Sequence, residues 1–180
     1  MDRINPENTA AAVDYSMLEG LTTDGLAQLL SQLMQPDTAV VKNATALLKQ
    51  YFKTVKALEN LLILMATSPD QNIRQLSCVY LRKNIPKLWS NLSAPDQQKT
   101  KVLLLERFVA EQAALVKKSL ADVVGSLAAV LIPNKEWDEL FQFVFTGCQS
   151  KNIAENEQAM LLLSVIVEYF STTEIATYYD

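Results

Sequence analysis

The 180-residue sequence contains no histidine. Histidine is the commonest general base and the commonest metal ligand in proteins, so its absence argues against most hydrolytic and metal-dependent mechanisms. The two cysteines, Cys78 and Cys148, are far apart in the sequence, and no Cys-x-x-Cys pair offers a zinc-ligand spacing. No glycine-rich phosphate loop and no Gly-x-Ser-x-Gly motif is present. We therefore expect a protein that is not an enzyme and that uses no cofactor.

Long hydrophobic runs are also missing. The mostly apolar segment 161–167 is too short to cross a bilayer, and Glu168 ends it. The first residues lack the basic and apolar regions of a signal peptide. We interpret both cysteines as reduced thiols of an intracellular protein, with a disulfide as the alternative.

Glycine is scarce, at four residues, while nearly half of the sequence is hydrophobic. This composition favours an almost purely helical chain. The segment that begins at Pro36-Asp37 recurs 33 residues later at Pro69-Asp70. The matched helical positions are Val40 and Ile73, Ala44 and Ser77, Leu48 and Leu81, and Phe52 and Ile85. A repeated unit of helix, turn and helix predicts a stacked helical array, since one such pair cannot bury its apolar face alone.

The predicted fold is all-α: a right-handed α-solenoid of about four antiparallel helical hairpins. Residues 1–20 read as a partly ordered leader with a short helix near Ala10–Leu18. The repeats are predicted at about 22–53, 54–89, 94–132 and 134–171, with the start of a fifth at 172–180. We expect the second helix of the second repeat to run to Asn84, where Pro86 ends or kinks it, and that of the fourth repeat to run from Met160 to Phe170. The leucines expected in the core are Leu30, Leu48, Leu62, Leu81, Leu104, Leu127, Leu140 and Leu163. We expect the chain to be an amino-terminal piece of a longer protein, or a four-hairpin domain with a frayed tail.

Charge is distributed unevenly along this mildly acidic chain. Residues 1–41 contain six acids and one base, residues 42–118 contain thirteen bases and five acids, and residues 136–180 contain eight acids and one base. Opposed charge blocks can attract different partners or can simply be solvated faces. Arg82, Lys83 and Lys87 lie near Trp89, a combination that nucleic-acid-binding surfaces use. The apolar pattern instead predicts that Trp89 packs within its hairpin, so we expect no direct binding of nucleic acid.

The second hairpin resembles the amino-terminal domain of the importin-β superfamily, the HEAT-repeat nuclear transport receptors. The resemblance rests on the run from Ser68 to Leu76, the run from Tyr80 to Ile85, and Trp89. Residues 135–140 resemble the next motif of that family, although Asp138 stands where a proline usually follows the tryptophan. Residues 161–167 look most like the importin-4 branch.

This resemblance implies a partner set and a location. Such receptors bind the small GTPase Ran in its GTP form through the second helices of their first repeats. They bind phenylalanine-glycine nucleoporins on the outer surface and shuttle between cytoplasm and nucleus. Their cargo is basic protein, for the importin-4 branch histones and ribosomal proteins. A HEAT-repeat scaffold or adaptor outside nuclear transport is the alternative, because it shares the fold.

Two groups of candidate site residues follow. The Ran-binding candidates lie on predicted second helices and are Thr45, Lys49, Arg74, Gln75, Cys78, Arg82, Lys117 and Lys118. The candidates for an acidic patch that attracts basic cargo are Asp138, Glu139, Glu155 and Glu157. Helix capping is the alternative role for Asp138 and Glu139, since carboxylates stabilise helix amino termini.

Overall fold

The computed structural model describes Leu18 and residues 20–169. In this part of the chain there are eight α-helices and no strand, as the hairpin repeat predicts. The predicted leader, with its helix near Ala10–Leu18, lies almost wholly outside the described residues. The predicted fifth hairpin at 172–180 lies entirely outside them. None of the helices described is both long and apolar enough to cross a membrane.

The chain divides into two compact units after Tyr51. The first unit contains α1 (Thr23–Gln32) and α2 (Thr38–Tyr51). The hydroxyl of Thr22 accepts a hydrogen bond from the Gly25 amide and so caps α1. Leu26 and Leu30 on α1 and Leu48 on α2 are at most 1% exposed.

The second unit contains six helices in three sequential hairpins. They are α3 (Val55–Thr67), α4 (Gln71–Leu88), α5 (Ala94–Ala110), α6 (Ala114–Leu131), α7 (Asp138–Gln149) and α8 (Ile153–Tyr169). Short 3-10 turns follow α4 and α6. The second helices α4, α6 and α8 pack side by side, which we call the second-helix layer, whereas α3 and α5 touch each other less closely.

Local sequence sets the helix starts. The Asp37 carboxylate accepts hydrogen bonds from the amides of Ala39 and Val40, at 2.8 and 3.2 Å. The Asp70 carboxylate accepts one from Asn72 at 2.8 Å. The two Pro-Asp turns of the sequence repeat therefore cap α2 and α4 by the same chemistry.

Helix α4 is longer than the sequence predicted. The expected end at Asn84 is wrong, because α4 continues through Pro86 to Leu88. Proline has no amide hydrogen, so the Arg82 carbonyl loses its α-helical donor. Ile85 and Leu88, on either side of the proline, are buried, and this burial offsets the lost hydrogen bond.

Helix α8 also begins earlier than predicted. It starts at Ile153 rather than at Met160, so Glu155 and Glu157 lie inside the helix and not before it. The Asn152 side chain accepts a hydrogen bond from the Ala154 amide at 3.0 Å and caps this start.

Seven of the eight leucines that were predicted to lie in the core are buried. Those buried are Leu30, Leu48, Leu62, Leu81, Leu104, Leu127 and Leu140. The eighth, Leu163, was predicted to be buried and is 38% exposed. The buried side chains of α8 include those of Leu162, Val165 and Ile166 instead. In a helix that is apolar on several sides, composition alone does not identify the buried face.

Candidate protein-interaction surface

Arg74, a Ran-binding candidate, is occupied by contacts within the chain. Its Nε donates to Glu111 Oε2 at 2.9 Å, and its Nη2 donates to Glu111 Oε1 at 3.1 Å. Its Nη1 donates to the carbonyls of Ser68 and Pro69 at 3.1 and 3.2 Å. The side chain thus ties the turn before α4 to the turn before α6.

Glu111 completes this contact from the other side. Its Oε1 also accepts hydrogen bonds from the amides of Gln112 and Ala113, at 3.0 and 2.9 Å, in the turn before α6. Burial raises the pKa of the Glu111 carboxyl, but the hydrogen bonds from Arg74 and these two amides outweigh it. The net pKa is lowered.

Cys78, another Ran-binding candidate, lies in the core and not on the surface. It is fully buried in the second-helix layer. Burial, with the nearby Glu111 carboxylate, raises the pKa of the thiol to about 12. A buried thiol with this pKa can neither contact a protein partner nor react as a nucleophile.

Arg82 lies on the surface of the second-helix layer and pairs with a residue of α6. Its Nη1 donates to Asp122 Oδ2 on α6 at 3.4 Å. Burial raises the pKa of Tyr169, and Arg82 partly offsets that rise. The Arg82 side chain remains 48% exposed.

Gly125 explains why Tyr169 can lie so close to α6. A Cβ atom at Gly125 would come within 2.8 Å of the Tyr169 ring and of a Val165 methyl group. Such a distance is shorter than any ordinary carbon contact, so a larger residue would displace the α8 side chains.

The remaining candidates differ in exposure. Lys118 is exposed, while Lys117 is half-buried with its Nζ 5.7 Å from the centre of the Phe108 ring. Gln75 is half-buried on α4. In the first unit, Thr45 and Lys49 are exposed on α2, and the Thr45 hydroxyl donates to the Val41 carbonyl at 2.7 Å.

The four acidic candidates form two separate pairs. Asp138 and Glu139 lie in the first turn of α7, and Glu155 and Glu157 lie near the start of α8. Because α7 and α8 form an antiparallel hairpin, the two pairs are at opposite ends of it. A 12-residue helix is about 18 Å long, so the predicted single patch is not formed.

Three hydrogen bonds occupy these carboxylates. Glu139 accepts one from the Gln98 side chain at 3.1 Å. Its own backbone amide and Gln98 together lower its pKa. Glu155 accepts hydrogen bonds from Ser150 at 2.6 Å and from Asn152 at 3.2 Å, within the turn before α8. No side-chain hydrogen bond caps α7, but Asp138 and Glu139 lie in its first turn, where carboxylates stabilise a helix amino terminus.

An apolar groove of about 900 Å³ lies between α3 and α5. Its apolar walls are Leu62, Ile63, Leu92, Pro95, Val102 and Leu103. Charged side chains, including Glu59, Lys99 and Glu106, line its rim. The part of the chain that the structure describes contains no cluster of side chains that could hold a metal ion.

Two family models match the sequence of these helices. The Importin-beta N-terminal domain model matches residues 44–126, from α2 to most of α6, and an IPO5-like model of TPR repeats matches residues 112–178. The chain belongs to the importin-β superfamily. The resemblance seen in the second hairpin is confirmed by these matches.

Curated relatives point to the importin-4 branch. The chain is 32% identical over 144 residues to probable importin subunit beta-4 of Schizosaccharomyces pombe and 33% identical over 147 residues to human Importin-4. Both alignments cover 79% of this chain, but only 14% and 13% of those relatives. The chain therefore spans about one seventh of their length.

A solved structure supports the fold. The chain resembles Kap121p, in a crystal structure of that protein bound to RanGTP, with a TM-score of 0.65 and 20% sequence identity. The likeness covers 82% of this chain and 14% of that one. It confirms the stacked helical architecture of an importin-β family member.

Sequence reasoning missed three features of this surface. Glu111 and Asp122 were not identified, because a single acid in a helical run does not reveal a partner 37 to 40 residues away. Tyr169, whose ring lies against Gly125 of α6, was also missed. The groove between α3 and α5 was missed as well. Its apolar residues Ile63 and Val102 could have indicated it, since they lie on the outward sides of these helices and remain 45% exposed.

Proposed function

We propose that the protein acts as a nuclear transport receptor, with no catalytic activity of its own, that shuttles between cytoplasm and nucleus. One observation carries this proposal: the importin-β N-terminal domain model matches residues 44–126. The matched helices α2, α4 and α6 present exposed basic side chains at Lys49, Arg82 and Lys118.

Ran in its GTP form is the first proposed partner. The exposed candidates Thr45, Lys49, Arg82 and Lys118 can contact its surface directly. Arg74 and Cys78 can act only by shaping the second-helix layer, because one is bound to Glu111 and the other is buried. Charge complementarity of this kind speeds association and weakens as salt is added.

A nucleotide-dependent pull-down tests this partner. The full 180-residue chain is immobilised and exposed to Ran locked in the GTP form or loaded with GDP. We expect retention of the GTP form only, with a yield that falls as ionic strength rises. Equal retention of both forms, or of neither, would contradict the proposal and favour a HEAT-repeat scaffold outside transport.

Charge reversal locates the contact. Lys49→Glu and Arg82→Glu together should weaken binding of GTP-bound Ran roughly tenfold or more, because attraction becomes repulsion at two positions. The matched control is Lys56→Glu with Lys99→Glu on the first helices α3 and α5, where we expect little change. Equal losses in both double variants would mean that only net charge matters.

Phenylalanine-glycine nucleoporins are the second proposed partner. The groove between α3 and α5 supports this assignment, because its apolar walls can take up a phenyl ring and remove it from water. Val102→Asp should abolish binding of a phenylalanine-glycine repeat peptide, whereas Val109→Asp, an exposed valine outside the groove, should not. Binding that survives in both variants would place the peptide elsewhere.

Basic protein cargo, such as histones and ribosomal proteins, is the third proposed partner. The acidic pairs at opposite ends of the α7–α8 hairpin support two separate contacts for a lysine-rich segment. A histone-tail peptide should bind the chain at low ionic strength, and Asp138→Asn with Glu157→Gln should weaken it more than either change alone. No binding at low ionic strength would mean that these acids only solubilise the protein.

A further inference from the structure

The α7–α8 hairpin has an apolar surface on the side that faces away from the preceding hairpin. On α7, Phe143 packs edge-on against Phe108 of α5, with ring centres 6.4 Å apart. Two positions along a helix correspond to a rotation of about 200°, so Phe141 and Phe145 lie on the other side of α7. Their side chains are 51% and 66% exposed.

Helix α8 continues this surface. Val165 and Tyr169 pack against Gly125 of α6. On the opposite side of the helix lie three exposed apolar side chains, those of Met160, Leu163 and Val167. The ridges of α7 and α8 meet where the Cys148 thiol donates to Met160 Sδ at 3.8 Å. The exposed side chains of both ridges together form what we call the far face: Phe141, Phe145, Met160, Leu163 and Val167.

The far face is large for an apolar surface that is exposed to water. Its five side chains are 38% to 66% exposed, so they present on the order of 500 Å² in each copy of the chain. Contiguous apolar patches of this size often mark a contact site. Two such faces in contact bury about 1,000 Å², the lower limit for a specific protein contact.

Charge indicates which partner fits the far face. None of its side chains is charged, whereas the rim of the groove between α3 and α5 carries Glu59, Lys99 and Glu106. The chain has a formal net charge of −4, so two copies repel each other least where both surfaces are uncharged. The far face therefore fits a second copy of itself better than it fits the groove or a charged partner.

We propose that the far face is a self-association surface at which a second copy of this chain binds with twofold symmetry. The phenylalanine ridge of α7 in one copy packs on the α8 ridge of the other, and the twofold axis repeats the same contact. The flexible side chain of Met160 can adapt to an aromatic ring and contact it through sulfur. The partner's hairpin thus extends the helix packing of the second unit, and the association needs neither Ran nor cargo.

Sedimentation equilibrium of the full 180-residue chain gives the first test. We expect the average mass to rise from that of one copy at about 1 μM toward that of two copies at about 500 μM, the range of a weak contact of this size. Because no charges meet, the association should not weaken when salt is added, unlike the proposed binding of Ran. A mass that stays at one copy, or that grows beyond two, would overturn the inference.

Variants on both helices locate the contact. Phe145→Asp on α7 and Val167→Asp on α8 should each weaken the association at least about tenfold, because each places a carboxylate in an apolar contact. Leu115→Asp, at an exposed leucine of α6 outside the far face, is the matched control and should associate as the wild type does. Circular dichroism checks that all three variants fold. Association that survives in either far-face variant, or an equal loss in Leu115→Asp, would contradict the proposed surface.

Alkylation of Cys148 gives a test that needs no variant. The thiol lies where the two ridges meet and is partly exposed. Its rate of alkylation should fall at least about threefold between dilute and concentrated protein, because the second copy covers it. Buried Cys78 should stay unlabelled at both concentrations, which confirms that the protein remains folded. A Cys148 rate that is the same at both concentrations would overturn the inference.

Discussion

The guanidinium of Arg74 and the carboxylate of Glu111 form a two-point contact, with N–O distances of 2.9 and 3.1 Å, between residues 37 positions apart. Neither side chain is more than 16% exposed. The pair joins two turns, since Arg74 also binds the carbonyls of Ser68 and Pro69 while Glu111 accepts the Ala113 amide in the turn before α6. The Arg74–Glu111 pair therefore holds neighbouring hairpins together at their ends, in addition to the packing between their helices.

Breaking this pair should destabilise the protein strongly. Arg74→Met or Glu111→Gln leaves one buried charged group without its partner, and we expect a loss of about 3–5 kcal/mol in the free energy of unfolding. Urea denaturation measures the loss. The control is Lys56→Ala, which removes the exposed Lys56–Glu59 pair and should change stability by less than about 1 kcal/mol. Similar losses in all three variants would contradict a special role for the buried pair.

The same pair predicts how stability depends on pH. The pKa of Glu111 is lowered from its ordinary value of 4.5 in the folded protein, so its stabilising contribution is fully present above about pH 4.5. It is lost as the pH falls below 4.5 through the lower folded-state pKa. We expect the stability difference between the wild type and Glu111→Gln to shrink over this acidic range. A difference that stays constant from pH 6 to pH 3 would contradict this assignment.

Two leucines of second helices test the assigned core. Leu81→Ala should cost about 2–5 kcal/mol, because its side chain is fully buried in α4 and its removal leaves a cavity. Leu163→Ala on α8 should cost far less, since that side chain is 38% exposed. Denaturation midpoints of the two variants provide the comparison. Equal losses would mean that Leu163 is covered in solution.

Thiol reactivity should separate the two cysteines. Cys78 is fully buried with a pKa of about 12, so at pH 8 it contains almost no thiolate and should resist alkylation in the native protein. Cys148 is partly exposed and should be modified first. Mass spectrometry after brief treatment with iodoacetamide identifies the labelled residue, and Cys148→Ala should leave the native protein unlabelled. Rapid labelling of Cys78 would show that α4 opens readily.

The helices and most of their starts could be predicted from the sequence because the signals are local. Asp37, Thr54 and Asp70 cap helices through hydrogen bonds that span two or three residues, and such spacings can be read directly. The end of α4 was predicted wrongly because packing outweighed the local preference of proline against a helix interior. Burial of Ile85 and Leu88 keeps the last turn of α4 helical.

The interaction surface was less predictable because its contacts join different hairpins. Arg74 and Arg82 look alike in the sequence, yet one is bound to Glu111 and the other is half exposed beside Asp122. A helical period predicts which residues share a side of one helix, but not which side faces a neighbour. Cys78 shows the consequence, since it was placed among surface residues and is buried.

Pro86 divides the backbone hydrogen bonds of α4 into two ladders. Upstream of the proline, amides bond to carbonyls one turn earlier without interruption, while the carbonyl of Arg82 receives no α-helical donor. Water can then solvate that carbonyl, and the last turn up to Leu88 can open without disturbing the turns before it. Hydrogen exchange should therefore be faster at Lys87 and Leu88 than in the middle of the helix, so that the end of α4 behaves as its own cooperative segment.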